Sequence, residues 1–276
     1  MNDDGQFGPN ESPDVIAAQL RDLHQWGVRT LPVSTLDPAE LKAAELKAAQ
    51  SAAAKVIEEP ATPPPVVAAP TEPTAQPTPS SSDSNSNPAE QLAILSQEVA
   101  ACQACEELCS KRTQTVFGVG NPEARLCFFG EGPGADEDRL GEPFVGKAGQ
   151  LLDKIIAACT MKREDVYILN TVKCRPPGNR NPAEDEIANC RPFFERQFEI
   201  IQPEFICCLG SVAAKTLLNS TQSVGRMRGQ FFDYNGAQVI VTYHPAYLLR
   251  NPSAKKDVWQ DMQMLLKAMG IELPKA

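Results

Sequence analysis

Short apolar segments alternate with longer amphipathic segments from about residue 89 to the end of the chain. The apolar segments are rich in β-branched and aromatic residues and have the length of buried strands, whereas the amphipathic segments carry apolar residues at helical spacing. The predicted strands are RLCFFGE (125–131), VYILN (166–170), FICCLG (205–210), FFDY (231–234) and QVIVTY (238–243). The predicted helices span residues 147–160, 182–202, 211–219 and 252–270.

This alternation predicts an α/β fold, in which a mainly parallel sheet is covered by helices on both faces in a three-layer α/β/α arrangement. Asn235-Gly236 between the last two strands predicts a tight hairpin. Asn181 before Pro182 predicts the start of the long helix. Ligands of such sheets bind at the carboxyl ends of the strands. The segments that fall there are the glycine-rich loop after residue 131, NTVKCRPPGNR (170–180) and HPAYLLRNP (244–252).

The first 88 residues differ in composition from the rest. They hold 5 Lys and Arg against 12 Asp and Glu, whereas residues 89–276 hold 21 against 23, so the first part carries most of the net charge of −9. Residues 60–88 are rich in Pro, Ser, Thr and Ala. They predict a disordered linker, because they can bury too little apolar surface to offset the entropy of ordering. We therefore expect an extension over 1–88, with short helices and this linker, and a folded domain over 89–276.

The nine cysteines all lie in the second part of the chain. Their odd number, with no secretory signal and no long apolar segment, predicts a reducing compartment and no membrane span. Cys102 and Cys105 form a C-x2-C pair, and Cys174 and Cys190 lie far downstream. Thiolates at such spacings could close a four-coordinate site on zinc or on an iron–sulfur cluster, and Cys109 is a fifth candidate ligand. The cysteines predicted to be buried as small hydrophobes are Cys127, Cys159, Cys207 and Cys208.

The glycine-rich loop contains two motifs that resemble nucleotide-binding sites. GEGPGA (130–135) follows a strand and fits a loose dinucleotide pattern, but the sequence predicts no helix until more than ten residues later. GEPFVGKA (141–148) nearly matches a phosphate-binding loop. However, Ala148 lacks the hydroxyl that would contact magnesium, and Pro143 removes a backbone donor. A nucleotide-binding hydrolase is therefore the weaker enzyme alternative.

Five separated segments together resemble one family. ACQAC (101–105), FGEGPGADEDRLGEPFVGKAGQLL (129–152), ILNTVKCRPPGNRNP (168–182), LGSVAA (209–214) and HPAYLLRNP (244–252) occur in the order seen in family 4 uracil-DNA glycosylases, the type with a [4Fe-4S] cluster. The resemblance covers about residues 90–270. It implies a central four-stranded sheet, a catalytic domain over 89–276 and excision of uracil from DNA. It also implies cluster ligands, which are Cys102, Cys105, Cys174 and Cys190 but not Cys109.

The resemblance further implies a pocket for a flipped uracil, because the base must leave the stack before its glycosidic bond can be reached. Phe144 would stack on the ring. The amide of Asn170 would pair with uracil O4 and N3–H, which cytosine presents with the opposite polarity. His244 would donate a hydrogen bond to uracil O2, where negative charge develops. The residues that would line the same pocket are Gly132, Pro133 and Asn179.

Two carboxylates are candidates for positioning water or for stabilising the positive charge that develops on the sugar. Glu131 and Glu137 both match family carboxylates, and Gly132 stands where some glycosylase families have an aspartate. The choice between the two glutamates stays open at this point. The neighbouring Asp136 and Asp138 are predicted to be solvated loop charges.

Residues around the pocket mouth are predicted to contact DNA. Tyr247, Leu248 and Leu249 form a predicted wedge that fills the vacated stack, and Arg250 would reach a phosphate. The other predicted phosphate contacts are Arg226, Arg228, Lys173, Arg175 and Arg180.

The sequence thus predicts a DNA repair glycosylase that hydrolyses the N-glycosidic bond of deoxyuridine in single- or double-stranded DNA and leaves an abasic site. The non-enzymatic alternative is an iron–sulfur module that binds DNA or senses redox state. We expect a cytoplasmic monomer, associated with the nucleoid if bacterial, and no membrane contact. A short amphipathic helix predicted near the N-terminus could contact a protein partner or the folded domain. Its apolar positions are Ile16, Leu20, Leu23 and Trp26.

Overall fold

The structure, a computed structural model, describes residues 87–272. The linker and the amphipathic helix predicted before residue 87 lie outside the described residues. The strands are β1 (Val119–Gly120), β2 (Leu126–Gly130), β3 (Tyr167–Asn170), β4 (Phe205–Leu209), β5 (Phe231–Tyr234) and β6 (Ala237–Thr242).

Nine α-helices occur in residues 87–272. They are α1 (Pro88–Ala101), α2 (Glu106–Lys111), α3 (Ala135–Leu140), α4 (Lys147–Ala158), α5 (Glu184–Ile201), α6 (Ser211–Leu218), α7 (Val224–Met227), α8 (Pro245–Arg250) and α9 (Lys255–Ala268). Single 3₁₀ turns occupy Arg163–Asp165, Pro177–Asn179 and Pro252–Ala254. The four helices predicted from the sequence correspond to α4, α5, α6 and α9.

The six strands form one sheet in the order β1-β3-β2-β4-β6-β5. The four inner strands are parallel, and each edge strand pairs antiparallel with its neighbour. The resemblance implied four strands, so the parallel core matches the expectation and the two edge strands extend it. The hairpin between β5 and β6 turns at Asn235 and Gly236, whose φ values of 51° and 88° place both in the left-handed region.

Helices cover both faces of the sheet. On one face, apolar residues of α4, α8 and α9 pack on alternate strand residues such as Phe128 and Cys207. On the other face, α1, α5 and α6 pack on the residues between them, such as Phe129 and Cys208. The alternation follows from the period of two along a strand. The predicted three-layer α/β/α fold is confirmed.

The cysteines of the strands and of α4 belong to this core. The four side chains are fully buried, as predicted, and burial raises the pKa of each thiol. They are Cys127, Cys159, Cys207 and Cys208. They act as small hydrophobes, because a thiol needs a lowered pKa to react or to bind a metal at neutral pH.

The start of the long helix α5 differs from the prediction. Its cap is Ala183 rather than Asn181, because the Glu186 carboxylate accepts a hydrogen bond from the Ala183 amide at 2.7 Å. A glutamate at the third helical position can satisfy this donor, so Asn181 is not needed as a cap. Among the described residues, no helix has the length and apolar character needed to cross a bilayer.

The packing of α4 generates a stability prediction. Leu152 is fully buried between α4 and the sheet, so Leu152→Ala should lower the free energy of unfolding by about 2–5 kcal/mol. Leu140 is 52% exposed, so Leu140→Ala should change it by less than about 0.5 kcal/mol. Guanidinium unfolding followed by circular dichroism measures both, and equal losses would contradict the assigned core.

Candidate active site

The carboxyl ends of β2 and β3 bring an amide and an aromatic ring together over a glycine. Gly130 and Asn170 are register partners at the ends of these parallel strands. A Cβ atom placed on Gly130 would lie 2.4 Å from Asn170 Oδ1 and 2.6 Å from Phe144 Cζ. Real Cβ atoms do not approach other atoms so closely, so only glycine allows the Asn170 amide and the Phe144 ring to occupy this space.

Phe144 is held in an unusual backbone conformation. Its φ of 54° lies in the left-handed region, which a bulky residue rarely adopts, and its side chain is buried. The first turn of α4 approaches so closely that a Cβ on Gly149 would lie 1.8 Å from the Phe144 carbonyl oxygen. The surrounding backbone therefore fixes the ring, whose centroid lies 5.5 Å from that of His244.

Glu137 organises the loop that carries Phe144. Its Oε1 accepts hydrogen bonds from the amides of Val145 (3.0 Å) and Gly146 (2.9 Å), and its Oε2 accepts one from the amide of Gly134 (3.0 Å). Two of these amides directly follow Phe144, and the third is at the start of α3. The carboxylate thus joins the two ends of the glycine-rich loop.

Asn170 presents an acceptor that has no partner. Its side chain is buried, and its Oδ1 has no hydrogen bond within the described part of the chain. Leaving a buried polar atom unpaired costs about 1–3 kcal/mol, so such an atom at a strand end indicates a place for a donor from outside the chain. Its backbone carbonyl accepts a hydrogen bond from Lys173 Nζ at 2.9 Å.

His244 follows β6 and caps α8. Its Nδ1 accepts a hydrogen bond from the Ala246 amide at 3.1 Å, so the proton of the neutral ring is on Nε2. Burial lowers the pKa of His244 to about 4, with a smaller contribution from the Arg250 charge and an opposing one from Glu137. At neutral pH the imidazole is therefore an uncharged donor through Nε2.

Glu131 follows β2 directly and differs from Glu137 in its surroundings. Its carboxylate is half-buried, and within residues 87–272 no side chain or amide donates a hydrogen bond to it. Burial raises the pKa of this carboxyl above its ordinary value of 4.5. Of the two candidate glutamates, Glu131 is the one whose oxygens are not already used by the loop.

The other pocket candidates occupy different positions. Gly132 packs so closely that a Cβ would lie 2.8 Å from Val172 Cγ2, and Pro133 is buried beside it. Asn179 lies on an exposed turn with φ 56°, and its Oδ1 accepts a hydrogen bond from Arg175 Nε at 2.7 Å. The side-chain amide of Asn179 is thus paired within its own loop.

The thiols of the cysteine-rich segments accept hydrogen bonds from neighbouring donors. Cys174 Sγ accepts one from Arg112 Nη1 at 3.0 Å, and Cys105 Sγ accepts one from Asn189 Nδ2 at 3.5 Å. The Cys109 thiol instead donates to the Cys102 carbonyl at 3.5 Å. In the part of the chain that the structure describes, no three His, Cys, Asp or Glu side chains form a group that could hold a metal ion.

The segment after His244 provides part of the predicted DNA wedge. Tyr247 is 39% exposed and stacks on Tyr243, with centroids 5.0 Å apart, and Leu249 is 48% exposed. Leu248 is fully buried and packs with the core on the α4 face of the sheet, so it cannot enter DNA. The wedge prediction is therefore wrong for Leu248, because the helical turn of α8 points this side chain inward. Arg250 at the end of α8 is exposed.

The predicted arginine pair on α7 is divided. Arg226 is exposed, but Arg228 is largely buried and its guanidinium Nε lies 3.1 Å from Asp261 Oδ2. The same guanidinium stacks on the Tyr243 ring at 5.6 Å from its centroid. Asp261 is fully buried and also accepts a hydrogen bond from Thr242 Oγ1 at 2.7 Å. Arg228 therefore contacts the end of β6 indirectly, through Asp261 and Thr242, and does not project from the surface.

Two basic residues of the 168–182 segment that were predicted to contact phosphates, Lys173 and Arg180, have partners within the fold instead. Lys173 is buried at 1% exposure, so its predicted phosphate contact is wrong. Burial lowers the pKa of its amine to about 7. Arg180 makes ion pairs with Glu186 at 2.6 Å and with Glu107 at 2.8 Å, which join the 174–190 loop to α2. Sequence alone cannot separate a basic residue that turns inward from one that faces solvent.

Asp138 is the acidic residue that the sequence analysis placed wrongly. It is 3% exposed rather than solvated, and it accepts hydrogen bonds from the Thr113 amide and from Thr113 Oγ1 at 2.7 Å. Asp136 is exposed, as predicted, and pairs with Arg139 at 3.3 Å. The two aspartates differ in burial because they are two positions apart on α3. Residues at this spacing lie on opposite sides of a helix, so Asp138 faces inward and Asp136 faces outward.

The structure also explains why the two nucleotide-like motifs do not form nucleotide sites. Contrary to the prediction, a helix does begin inside the first motif, at Ala135. However, the Gly134 amide at its start donates to Glu137 Oε2, and the Val145 and Gly146 amides of the second motif donate to Glu137 Oε1. The backbone donors that would bind phosphate are therefore already paired with a carboxylate of the loop itself.

Comparisons with known proteins identify the family of this chain. The family model for the uracil DNA glycosylase superfamily matches residues 117–263. The type-4 uracil-DNA glycosylase of Thermotoga maritima is 46% identical over 166 residues, which cover 59% of this chain and 86% of that protein. The type-4 enzyme of Archaeoglobus fulgidus is 38% identical over 193 residues, which cover 67% and 96%. That of Saccharolobus solfataricus is 43% identical over 187 residues, which cover 64% and 86%. The predicted resemblance is thus confirmed, and the chain belongs to the type-4 uracil-DNA glycosylase family.

Proposed function

We propose that this chain removes uracil from DNA by hydrolysing the N-glycosidic bond of deoxyuridine, releasing uracil and leaving an abasic site. The observation that carries the proposal is the buried, unpartnered Oδ1 of Asn170 beside the Phe144 ring. An acceptor in such a place favours a ligand with an N–H donor and a flat apolar face. Uracil provides both through N3–H and its ring.

Selection of uracil follows from the amide of Asn170. Its Oδ1 accepts from uracil N3–H while its Nδ2 donates to O4, and Phe144 stacks on the ring. Cytosine presents an acceptor at N3 and a donor at N4, so both contacts would be mismatched. Sites that hydrogen-bond their substrate in this way reject a mismatched analogue strongly, because buried polar groups are left unpaired. Gly132 and Pro133 line the pocket beside the base, and Asn179 closes its outer edge through the loop it shares with Arg175.

Bond cleavage leaves negative charge on the uracil ring and positive charge on the sugar. In this proposal, His244 Nε2 donates a hydrogen bond to uracil O2 as that charge develops. A neutral donor that is already in place needs no rearrangement during the reaction. One such donor lowers the activation barrier by about 3–4 kcal/mol in comparable sites.

The structure favours Glu131 over Glu137 for activation of water. Glu137 uses both oxygens on three backbone amides and so acts as a positioning residue for Phe144. Glu131 has unused oxygens at the end of β2, where it can orient the attacking water and stabilise the cationic sugar. Burial raises the pKa of its carboxyl, which makes the carboxylate a stronger proton acceptor than an ordinary glutamate.

DNA contacts are assigned to the exposed side chains near His244 and on α7. Tyr247 and Leu249 fill the space that the flipped base leaves, and Arg250 and Arg226 contact phosphates. Leu248 is buried and Arg228 is paired with Asp261, so neither is assigned a direct contact with DNA. We propose action on single- and double-stranded DNA by a cytoplasmic monomer, associated with the nucleoid if bacterial. A protein partner of the N-terminal segment is a further proposal.

The resemblance to type-4 enzymes implies a [4Fe-4S] cluster, and the four thiols that it implies as ligands are close enough to interact electrostatically. Cys105 and Cys174 each interact with Cys102, and Cys190 interacts with both Cys174 and Cys105. N–H donors on the sulfurs, as at Cys174 and Cys105, are typical of cluster ligands. The proposed ligands are Cys102, Cys105, Cys174 and Cys190. The cluster would supply a fixed cross-link between the N-terminal helices and the 174–190 loop.

The test of the proposed function uses holoprotein with iron and acid-labile sulfide in equal amounts. A labelled oligonucleotide with one uracil should yield alkali-labile strand breaks at that position, in both single- and double-stranded form, and none where thymine replaces uracil. The alternative, a non-catalytic iron–sulfur module, predicts DNA binding by the same preparation without abasic sites. That result would refute the proposal.

The role of Asn170 gives a mutational prediction. Asn170→Asp should lower kcat/KM for uracil by about 10³-fold or more, because a carboxylate cannot donate to O4, and any remaining activity should shift toward cytosine. Asp136→Ala is the matched control and should leave kcat/KM within about twofold, because this side chain is exposed. Single-turnover excision with uracil and cytosine substrates measures both changes, and similar losses in the two variants would refute the assignment.

The role of Glu131 gives a pH prediction. A carboxyl with a raised pKa is protonated at higher pH than an ordinary glutamate, so the single-turnover rate should fall on the acid side at a pH above 4.5. Glu131→Gln should lower the plateau rate by about 10²–10⁴-fold and remove this acid limb. A pH profile of the two proteins at saturating enzyme measures this. An unchanged limb in the variant would assign it to another group.

A further inference from the structure

Asp138 is unusual among carboxylates on short surface helices, because its side chain is buried. It is almost fully buried, and Thr113 donates three hydrogen bonds to it: the amide donates to Oδ1 (2.9 Å) and Oδ2 (3.1 Å), and the hydroxyl donates to Oδ2 (2.7 Å). A buried carboxylate is costly unless donors compensate it. One residue, 25 positions earlier in the chain, supplies that compensation.

Thr113 is the middle residue of a short connection, Arg112–Gln114, which we call the strap. At one end Arg112 donates to Cys174 Sγ at 3.0 Å and to the Cys102 carbonyl at 2.9 Å. At the other end Gln114 Nε2 donates to the Arg139 carbonyl at 2.9 Å. The strap therefore runs from the cysteine-rich segments to α3, where it contacts the adjacent residues Asp138 and Arg139.

Helix α3 cannot hold its own position. It has six residues, and helices much shorter than about 12 residues are unstable in isolation. Nevertheless it carries Glu137, which fixes the Val145 and Gly146 amides next to Phe144. The left-handed φ of Phe144 is unfavourable for a bulky residue, so this conformation persists only where its surroundings impose it. Asp138 is the buried residue of α3 that joins the support of Phe144 to the strap, beside the Arg139 carbonyl that Gln114 contacts.

We propose that Asp138 and Thr113 are positioning residues for uracil, which hold α3 and thereby the Phe144 ring in the base-binding geometry. This inference rests on the proposed role of Phe144 in stacking on uracil. Neither residue touches the substrate. The consequence is that losing the Thr113 hydroxyl weakens the pocket while leaving the DNA-contacting surface and the cysteine-rich segments intact.

The test compares four variants of the full-length holoprotein. Thr113→Val removes the hydroxyl but keeps the shape, Thr113→Ser keeps the hydroxyl, Asp138→Asn removes acceptor capacity, and Asp136→Asn is the exposed control. Three quantities are measured at a temperature well below unfolding: the single-turnover excision rate, the inhibition constant of free uracil, and the dissociation constant for uracil-free duplex DNA. Iron and sulfide content is checked in each preparation.

Thr113→Val and Asp138→Asn should lower the excision rate by about 10- to 100-fold and weaken inhibition by free uracil to a similar extent. Their affinity for uracil-free DNA and their iron content should remain at the wild-type level. A general structural defect would instead lower DNA affinity and iron content together with uracil binding. Thr113→Ser and Asp136→Asn should stay within about twofold of wild type on all three measures.

Full excision rates and wild-type uracil inhibition in Thr113→Val and Asp138→Asn would overturn the inference, as would equal losses in Asp136→Asn. These outcomes differ from failure of the proposed function, in which the wild-type protein itself would leave uracil in DNA. Loss of iron together with the rate would also overturn it, because the strap would then act on the cysteine-rich segments instead of the pocket.

Discussion

The active site depends on one close approach, that of the Asn170 amide and the Phe144 ring to the backbone at Gly130. Parallel pairing of β2 and β3 places residues 130 and 170 side by side, and the space for a Cβ on Gly130 is already filled by these two side chains. Three neighbouring contacts support this arrangement. The first turn of α4 packs on the Phe144 backbone, Glu137 accepts a hydrogen bond from the amide that follows Phe144, and Lys173 donates one to the Asn170 carbonyl.

The glycine-rich loop shows how one local pattern can serve unlike ligands. Its sequence resembles a phosphate-binding loop, yet its backbone amides donate hydrogen bonds to the Glu137 carboxylate of the same loop. An anion-binding surface is thereby converted into a rigid frame that presents an aromatic ring. Charge is managed in the same way elsewhere, because Arg228 is paired with buried Asp261 and His244 is kept neutral. The pocket therefore offers neutral hydrogen bonds where a nucleotide site would offer positive charge.

The layered fold, its parallel strands and the main helices could be predicted from the sequence, because hydrophobic periodicity reports directly on burial. The motif residues Phe144, Asn170 and His244 could also be placed at one end of the sheet, since each follows or faces a strand end. The inward turn of Asp138, Lys173 and Leu248 could not be predicted. Each looks like a surface residue of its segment, and only the tertiary contacts with Thr113, the Asn170 carbonyl and the core reveal its direction.

The double use of the His244 ring has a consequence for how this protein can evolve. One nitrogen caps α8, and in the proposed function the other donates to uracil O2, so the helix that carries Tyr247 and Leu249 is anchored by the proposed catalytic side chain. On that proposal, an exchange at position 244 that disturbs the cap would alter both the chemistry and the DNA contacts in a single step. Asparagine and serine can also cap a helix, so they offer the mutational routes by which a descendant could lose the proposed catalysis yet keep α8 in place.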